Sequence, residues 1–555
     1  MRIVIVGGVA GGMSAAARAR RLDEQAEIIV LDKGPDVSFA NCGLPYHVSG
    51  DIASRDALLL HTPQSLRTTL NLDVRVNTEV TAIDRDARTV TAVGPDGEYE
   101  LAYDALVLAP GASAAVPPIP GINLPHVTHL RTVDDATTLA GRVADARSAV
   151  VMGAGFIGLE TAEALRTRGL DVTVVELAPQ VLPPLAPELA HLVEGELVAN
   201  GVRVRTGVAA TELAQQGTDS VLVSLSDGTS ESADIVVVSV GVRPNTALAK
   251  AAGLSLDERG AMVVDSDQRT NDPHIWAVGD ATAVPHAITG ATGSVPLAGP
   301  ANRQGRRAAE SIFGVAVPAK PVLGTAIVRV FGLTAALTGA SPRMLDAAGI
   351  DHVQHHTHHL NHAGYYPGAQ QMHLLATFSP DGTLLGAQGV GREGVDKRID
   401  VLATALRAGF GADDLAELEL AYAPPYGSAK DPVNMLGFMM QNYVAGTLTT
   451  WGAADVEWAR ANALIIDVRS AAEFARGHLP EAINVPHTEV RARLDEIRAA
   501  AAGRPVRVHC ASGFRSYLAH RILDQEGFDS ANFDGGMLTM QAALPELPLT
   551  TEAGV

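Results

Sequence analysis

Apolar residues along this chain come in short unbroken runs rather than in long alternating stretches. The runs are Arg2-Ile3-Val4-Ile5-Val6, Glu27-Ile28-Ile29-Val30-Leu31-Asp32, Ala105 to Leu108, Ser148-Ala149-Val150-Val151-Met152, Asp171-Val172-Thr173-Val174-Val175-Glu176, Ile235 to Val240 and Leu464 to Arg469. Strands half open to water would alternate, so continuous runs bounded by glycine or charge predict strands buried on both faces of parallel sheets. Ala/Arg-rich stretches such as Met13 to Leu22 fall between them and predict helices. The order is that of an α/β protein, and its length of 555 residues suggests three or four domains at about 150 residues each.

The first two runs enclose Gly7-Gly8-Val9-Ala10-Gly11-Gly12 and the helix after it, and Asp32 falls 20 residues beyond Gly12. Strand, glycine turn, helix, strand and acid make a dinucleotide-binding unit: small residues let the backbone approach a pyrophosphate, the helix N-terminus favours its charge, and the acid meets a ribose hydroxyl. Val9 occupies the middle glycine position. A second unit follows with Gly153-Ala154-Gly155-Phe156-Ile157-Gly158, then Leu159-Glu160, a helix, and Glu176 18 residues after Gly158. Two units imply two dinucleotides. Glu176 would repel a 2′-phosphate, and Leu177 and Ala178 follow it where an NADP site wants arginine, so the second site is expected to take NADH. The first would hold FAD, which converts hydride into thiol chemistry. Ala109-Pro110-Gly111-Ala112, Gly241-Val242-Arg243-Pro244-Asn245 and a strand from Thr270 through Trp276 to Gly279-Asp280 fit that cofactor, with Asp280 suited to a ribityl hydroxyl. Val80 and Ala298 complete the positions expected to touch cofactor, beside Gly7, Gly12, Asp32, Ala109, Gly153, Gly155, Gly158, Glu160, Glu176, Gly241 and Asp280.

Between the two units lies Ser38-Phe39-Ala40-Asn41-Cys42-Gly43-Leu44-Pro45-Tyr46. Most free cysteines pack as small hydrophobes, but the turn-like polar company of Cys42 reads as a partly exposed reactive thiol. The one other cysteine is Cys510. Two thiols so far apart form no disulfide framework, which points to a reducing cytoplasm. No leader of export type is read at the start of the chain, and no apolar run approaches the ~20 residues that span a bilayer, so no membrane is expected. A net charge of −20, with 47% hydrophobic and 19% charged residues, describes a globular protein that does not bind nucleic acid, because such binding rests on Lys and Arg neutralising phosphates.

In these motifs the chain resembles the single-cysteine branch of the pyridine nucleotide–disulfide reductases, and within it the coenzyme A-disulfide reductases fused to a rhodanese domain. Dithiol relatives carry a second cysteine five residues on, where this chain has His47. The resemblance implies two Rossmann-like dinucleotide-binding domains, for FAD at 1–112 and 245–320 and for NAD(P) at 113–244, an α+β dimerisation domain at 321–446, a linker at 447–456, and a C-terminal α/β rhodanese domain at 457–555. It implies a homodimer in which Cys42 alternates between a thiolate beside the flavin and a mixed disulfide with coenzyme A, or a persulfide. Ser38, Asn41, Arg18 and Arg21 match positions near the coenzyme A tail. Tyrosines in Asn361-His362-Ala363-Gly364-Tyr365-Tyr366-Pro367 and in Tyr422 to Pro432 would face the opposite subunit's cysteine; strand alternation lets one of Tyr365 and Tyr366 do so, and Tyr366 and Tyr426 are chosen as phenol proton donors.

In the last domain Val506 to His509 runs into Cys510-Ala511-Ser512-Gly513-Phe514-Arg515-Ser516 and a helix. A thiol at a strand end, cradled by backbone N–H groups above a helix N-terminus, has its anion stabilised. The loop resembles the rhodanese signature, with Cys510 as sulfur carrier and Arg515 as substrate ligand; its C-x4-R spacing is one residue shorter than that of the cysteine phosphatases. The histidines 352, 355, 356, 358, 359 and 362 include no cysteine or carboxylate, so they are read as a solvated strand and no metal is expected. The expected activity is NADH-dependent reduction of coenzyme A persulfide, polysulfide or coenzyme A disulfide. An NADH oxidase or peroxidase working through a Cys42 sulfenic acid is the alternative, although relatives of that kind carry a histidine in the first glycine turn where this chain has Ala10. A sulfur sensor without turnover is disfavoured by intact nucleotide motifs at both sites.

Overall fold

The computed structural model describes residues 1–551. The chain forms two compact units, Met1–Val181 with Leu197–Gly324, and Leu182–Glu196 with the chain from Thr325 onward.

In the first unit a five-stranded parallel sheet runs in the order Ile275–Ala277, Ala105–Leu108, Arg2–Val6, Glu27–Leu31, Asp73–Arg75. One face buries Ile3, Ile5, Ile28 and Val30 under helices Ala10–Leu22 and Ala298–Ile312. These helices meet backbone to backbone, since a Cβ on Gly305 would lie 2.0 Å from the Gly11 carbonyl oxygen. The other face buries Val4, Ile29, Leu31 and Leu106 against Val80, Val90 and Ala92 of an antiparallel sheet, Glu79–Asp84, Thr89–Gly94 and Gly97–Ala102. A strand covered on both sides has no water-facing positions, which is why these runs are unbroken.

The same three layers recur. A second parallel sheet, in the order Arg203–Arg205, Asp171–Val175, Ser148–Met152, Ile235–Val238, Val127–Thr128, packs Val150, Met152, Val175 and Val236 against Leu213, Val221 and Val223 of another antiparallel trio. The strand expected from Thr270 is shorter. Only Ile275–Ala277 is extended, because Thr270, Asp272 and His274 form a turn in which Asp272 Oδ1 accepts the His274 N–H.

In the second unit a five-stranded antiparallel sheet has the order Ala326–Val330, Leu333–Gly339, Leu384–Gly391, Met372–Phe378, Val353–Thr357. Helices Val395–Ala408 and Pro432–Val444 are joined through buried Arg398, whose guanidinium donates to Asp431 at 2.8 Å and to the Asn361 carbonyl at 2.9 Å. A final parallel sheet follows, in the order Thr450–Trp451, Ser530–Phe533, Val506–His509, Leu464–Asp467, Ile483–Asn484. This corrects the expected linker at 447–456: Thr450–Trp451 is an edge strand of that sheet, and Trp451 is buried edge-on against Phe533, with ring centroids 4.8 Å apart. The expected end of the last domain, 552–555, lies outside the described residues. Among the described residues no helix is long and apolar enough to cross a membrane.

Candidate active site

The two glycine turns share one hydrogen-bond pattern. Asp32 accepts the Gly8 N–H at 2.7 Å and the Gly34 N–H at 2.8 Å; Glu176 accepts the Ala154 N–H at 2.7 Å and the Ala178 N–H at 2.7 Å. Each acid thus bridges the second residue of its turn and the residue two beyond itself. Gly7 and Gly153 have φ of +102° and +103°, and a Cβ there would lie 2.1 Å from the Ala109 oxygen and 2.5 Å from the Ser239 oxygen. A Cβ on Gly12 or Gly158 would run into the carbonyl of the first glycine of the same turn. Around Gly155, by contrast, the Cβ direction is open. Each turn therefore offers a helix start to an anion and holds a carboxylate beside it, and these residues fit a dinucleotide at both places. Burial raises the Asp32 pKa, with the Gly8 and Gly34 amides pulling the other way.

Cys42 sits in a short 3-10 turn, Asn41–Gly43, that runs directly into helix Leu44–Ser49. The loop is tied to the first glycine turn by the Ser38 N–H, which donates to the Gly8 carbonyl at 2.8 Å, with Ser38 itself at a left-handed φ of +50°. Gly43 has no room for a side chain, since its Cβ would meet Leu58 at 2.8 Å. Cys42 is exposed. One helical turn on, the Tyr46 hydroxyl donates to Glu160 Oε1 at 3.2 Å, so helix Phe156–Thr167, which follows the second glycine turn within the same compact unit, reaches the cysteine's neighbourhood. Arg131 is the residue the sequence did not single out. Its side chain donates to Asn41 Oδ1 at 2.6 Å, its carbonyl accepts from the Asn41 amide at 3.2 Å, its Nε donates to the Ala112 carbonyl at 2.7 Å, and it lies 3.6 Å from Asp280. Desolvation first, then the carboxylates of Glu160 and Asp280, push the Cys42 thiol pKa up, and Arg131 alone pulls it down. The chain's own field thus favours the thiol over the anion. Burial also raises the Asp280 carboxyl, again against Arg131.

Other expected residues are distributed as follows. Arg18 pairs with Glu310 at 2.8 Å, and Arg21 is exposed at the end of the same helix. Val80 is buried in the antiparallel sheet, Ala109 follows the end of a parallel strand, Gly241 has a φ of +111°, and Ala298 is exposed at the start of its helix. Tyr366 and Tyr426 are exposed, as are Tyr365 and Tyr422, whose hydroxyls lie 3.1 Å apart. The alternation expected for Tyr365 and Tyr366 does not apply, because both lie in a turn in which the Tyr366 N–H donates to the Ala363 carbonyl.

Cys510 ends strand Val506–His509, and helix Phe514–Gln525 follows its loop. The sulfur is buried and accepts the Gly513 N–H at 3.2 Å and the Ser516 hydroxyl at 3.3 Å. Gly513 has a φ of +95°, which turns its amide inward. Arg515 forms a two-pronged pair with Glu473 at 2.8 and 2.7 Å, and the Arg515 hydrogen bonds hold the Glu473 carboxyl down at about 2.

The histidines correct a second expectation. Strand Val353–Thr357 is not solvated: His355 and His356 are buried, with Asp534 and Glu188 as partners that only the fold brings there. Among the described residues no group of three or more His, Cys, Asp or Glu is arranged to hold a metal.

Three family models match the chain: pyridine nucleotide-disulphide oxidoreductase over residues 1–305, the dimerisation domain of that family over 325–432, and a rhodanese-like domain over 453–543. The solved structure of reduced Bacillus anthracis CoADR-RHD is similar at 41% identity and a TM-score of 0.96, covering 98% of each chain. An NAD-dependent persulfide reductase from A. fulgidus is similar at 39% identity and a TM-score of 0.91, over 97% of this chain and 100% of that one. Coenzyme A disulfide reductase of Staphylococcus haemolyticus is 35% identical over 79% of this chain and 98% of its own length. A protein of Methanocaldococcus jannaschii named NADH oxidase is 35% identical over 78% and 97%. With both glycine cradles and the two cysteine loops in place, the chain belongs to the pyridine nucleotide-disulphide oxidoreductase family, with that family's dimerisation domain and a rhodanese-like domain following it.

Proposed function

We propose that the protein uses NADH to reduce coenzyme A persulfide, polysulfide and coenzyme A disulfide through Cys42, with Cys510 relaying sulfane sulfur. The observation that carries this is the solitude of Cys42: the chain's one other cysteine is Cys510, buried in its own loop, so the sulfur that pairs with Cys42 arrives on another molecule. A sulfur-carrying loop has no task in plain disulfide reduction, which favours the persulfide. FAD in the cradle of Gly7, Gly12 and Asp32 would supply two electrons, drawn as hydride from NADH in the cradle of Gly153, Gly155, Gly158 and Glu176.

Cys42 attacks the S–S bond of CoA–S–SH, one sulfur leaves, and the sulfur captured on Cys42 departs when two electrons and a proton reach it. The sum is CoA–S–SH + NADH + H⁺ → CoA–SH + H₂S + NAD⁺. Because the carboxylates of Glu160 and Asp280 oppose a bare thiolate, Arg131 is the group that lets Cys42 give up its proton. Tyr366 and Tyr426 of a homodimer's other subunit would protonate the leaving sulfur. Ser38, Asn41, Arg18 and Arg21 would hold coenzyme A, and Arg515 would face the sulfur donor at Cys510. The domain limits at 112, 244, 320 and 446 and a cytoplasmic location belong to the same reading.

The oxidase reading is kept alive by the relative named NADH oxidase, while Ala10 in the first glycine turn counts against it. NADH supplied with coenzyme A persulfide, coenzyme A disulfide or oxygen in parallel separates the two. The expected order is persulfide, then disulfide, then oxygen, with sulfide released one for one with NADH and all sulfur reduction lost in Cys42→Ser. Fast oxygen consumption without sulfide release would replace this reading with the other.

A further inference from the structure

Strand Val353–Thr357 carries groups that the reduction chemistry leaves unused. His356 is buried, and both of its ring nitrogens face carboxylates: Nδ1 lies 2.5 Å from Asp534 Oδ2, and Nε2 lies 2.6 Å from Glu188 Oε1. Its backbone N–H donates to the same Asp534 oxygen at 2.9 Å. A neutral imidazole has one N–H and one lone pair, so two carboxylates can both be satisfied only by the imidazolium. Burial alone would push this histidine's pKa down, but Asp534 and Glu188 outweigh it and hold it up at about 10. The other titratable neighbours are His355, 3.5 Å from Asp534 on the strand itself, and His358, which burial and His373 keep neutral. One cation thus joins three elements: its own strand, the end of strand Ser530–Phe533, and the first turn of helix Pro187–Ala199.

Asp534 leads directly into Gly535–Gly536, and that turn is the seat of the Cys510 loop. A Cβ on Gly536 would lie 2.6 Å from the Cys510 carbonyl oxygen and 2.7 Å from the Gly513 nitrogen. The Met537 N–H donates to the Cys510 carbonyl at 2.8 Å, and the Leu538 N–H to that of Ala511 at 3.0 Å. On its other side the turn is closed by the histidines: a Cβ on Gly535 would lie 2.8 Å from His356 Cβ and 2.9 Å from His358 Nε2. His358 Nε2 also shares a hydrogen bond with Thr539 Oγ1 at 2.8 Å. The glycine pair is pressed between the histidine strand and the loop that presents the sulfur.

The geometry points to His356 as a positioning residue for sulfur transfer at Cys510: shared between Asp534 and Glu188, it pins the Gly535–Gly536 turn on which the Cys510 loop rests. The inference relies on Cys510 being the sulfur carrier. In that reaction the Cys510 thiolate takes the outer sulfur of a donor such as thiosulfate, sulfite leaves, and an acceptor such as cyanide removes the sulfur as thiocyanate, restoring the thiolate.

The test uses the full-length protein and measures thiosulfate-to-cyanide transfer and NADH-dependent coenzyme A disulfide reduction on the same preparations. His356→Gln keeps an amide donor but no charge. It is expected to lower kcat for sulfur transfer tenfold or more, to leave KM for thiosulfate within about twofold, to leave coenzyme A disulfide reduction unchanged, and to speed hydrogen exchange at the Met537 and Leu538 amides. Glu188→Gln leaves the His356–Asp534 pair in place, and is expected to move the alkaline fall in transfer rate at least one unit to lower pH, a change that lost packing alone does not produce. Wild-type transfer in folded His356→Gln, or an unmoved pH profile in Glu188→Gln, overturns the inference. Transfer persisting in Cys510→Ser would instead remove the carrier reading beneath it.

Discussion

Two glycines two residues apart in the second nucleotide turn have opposite structural situations, and replacing each by alanine separates folding from ligand binding. Gly153 has a φ of +103°, and its Cβ would lie 2.5 Å from the Ser239 carbonyl oxygen and 2.8 Å from that carbonyl carbon. Both are backbone atoms of the adjoining strand end and cannot rotate aside. Backbone strain of roughly 1–3 kcal/mol and overpacking of about the same size put the cost of Gly153→Ala near 3 kcal/mol or above. Gly155 has φ −77° and ψ −175°, extended values open to any residue, and nothing lies within 4 Å of its Cβ position. Gly155→Ala should therefore hold or gain stability, by about 0.4–1 kcal/mol through a less flexible unfolded chain. Its methyl group nevertheless stands where the backbone must approach a pyrophosphate. The expected penalty is tenfold or more in NADH affinity, about 1.4 kcal/mol. Urea unfolding midpoints, NADH titration by fluorescence and flavin content by absorbance together read the outcome. Gly155→Ala should unfold at or above the wild-type midpoint, bind NADH weakly and keep its flavin, while Gly153→Ala should unfold early. Wild-type NADH affinity in Gly155→Ala, or a stability loss equal to that of Gly153→Ala, would refute the assignment of this turn.

Glu160→Gln removes a carboxylate that raises the Cys42 pKa yet keeps an oxygen to accept from Tyr46, so alkylation of Cys42 by iodoacetamide at pH 7.5 should quicken; an unchanged or slower rate contradicts the electrostatic account. Glu473 is lowered from 4.5 to about 2 by Arg515, so the pair's contribution to stability is full above about pH 4.5 and drains as the pH falls through 2. The gap in melting temperature between wild type and Glu473→Gln should accordingly close over that range, and a gap independent of pH would show that the pair contributes nothing through its charge.

Much of the architecture was legible because it is written locally. Each nucleotide cradle fits within some 30 residues, where an apolar run, glycines that alone tolerate φ near +100°, and an acid at fixed distance leave one reading. The Cys510 loop likewise needs only a strand end, Gly513 and a following helix, and Cys42 stood out through its neighbours and its lack of a second thiol. What stayed hidden were pairings made across long stretches of chain. Arg131 reaches Asn41 from 90 positions away, beside an ordinary helix start. Thr450–Trp451 looked like linker because two residues carry no periodicity, and they become a strand only when the backbone of Asn532–Phe533 pairs with them.

The sequence by itself determined the two dinucleotide units, the lone Cys42 and the Cys510 loop, since steric limits on glycine and the burial of parallel strands act within a few consecutive residues. The tertiary structure alone decided the electrostatics. Whether a histidine is a solvated base or a buried cation, and whether a cysteine meets arginine or carboxylate, depends on which distant groups the packing brings within a few ångströms, and the strength of that field rises as water is excluded.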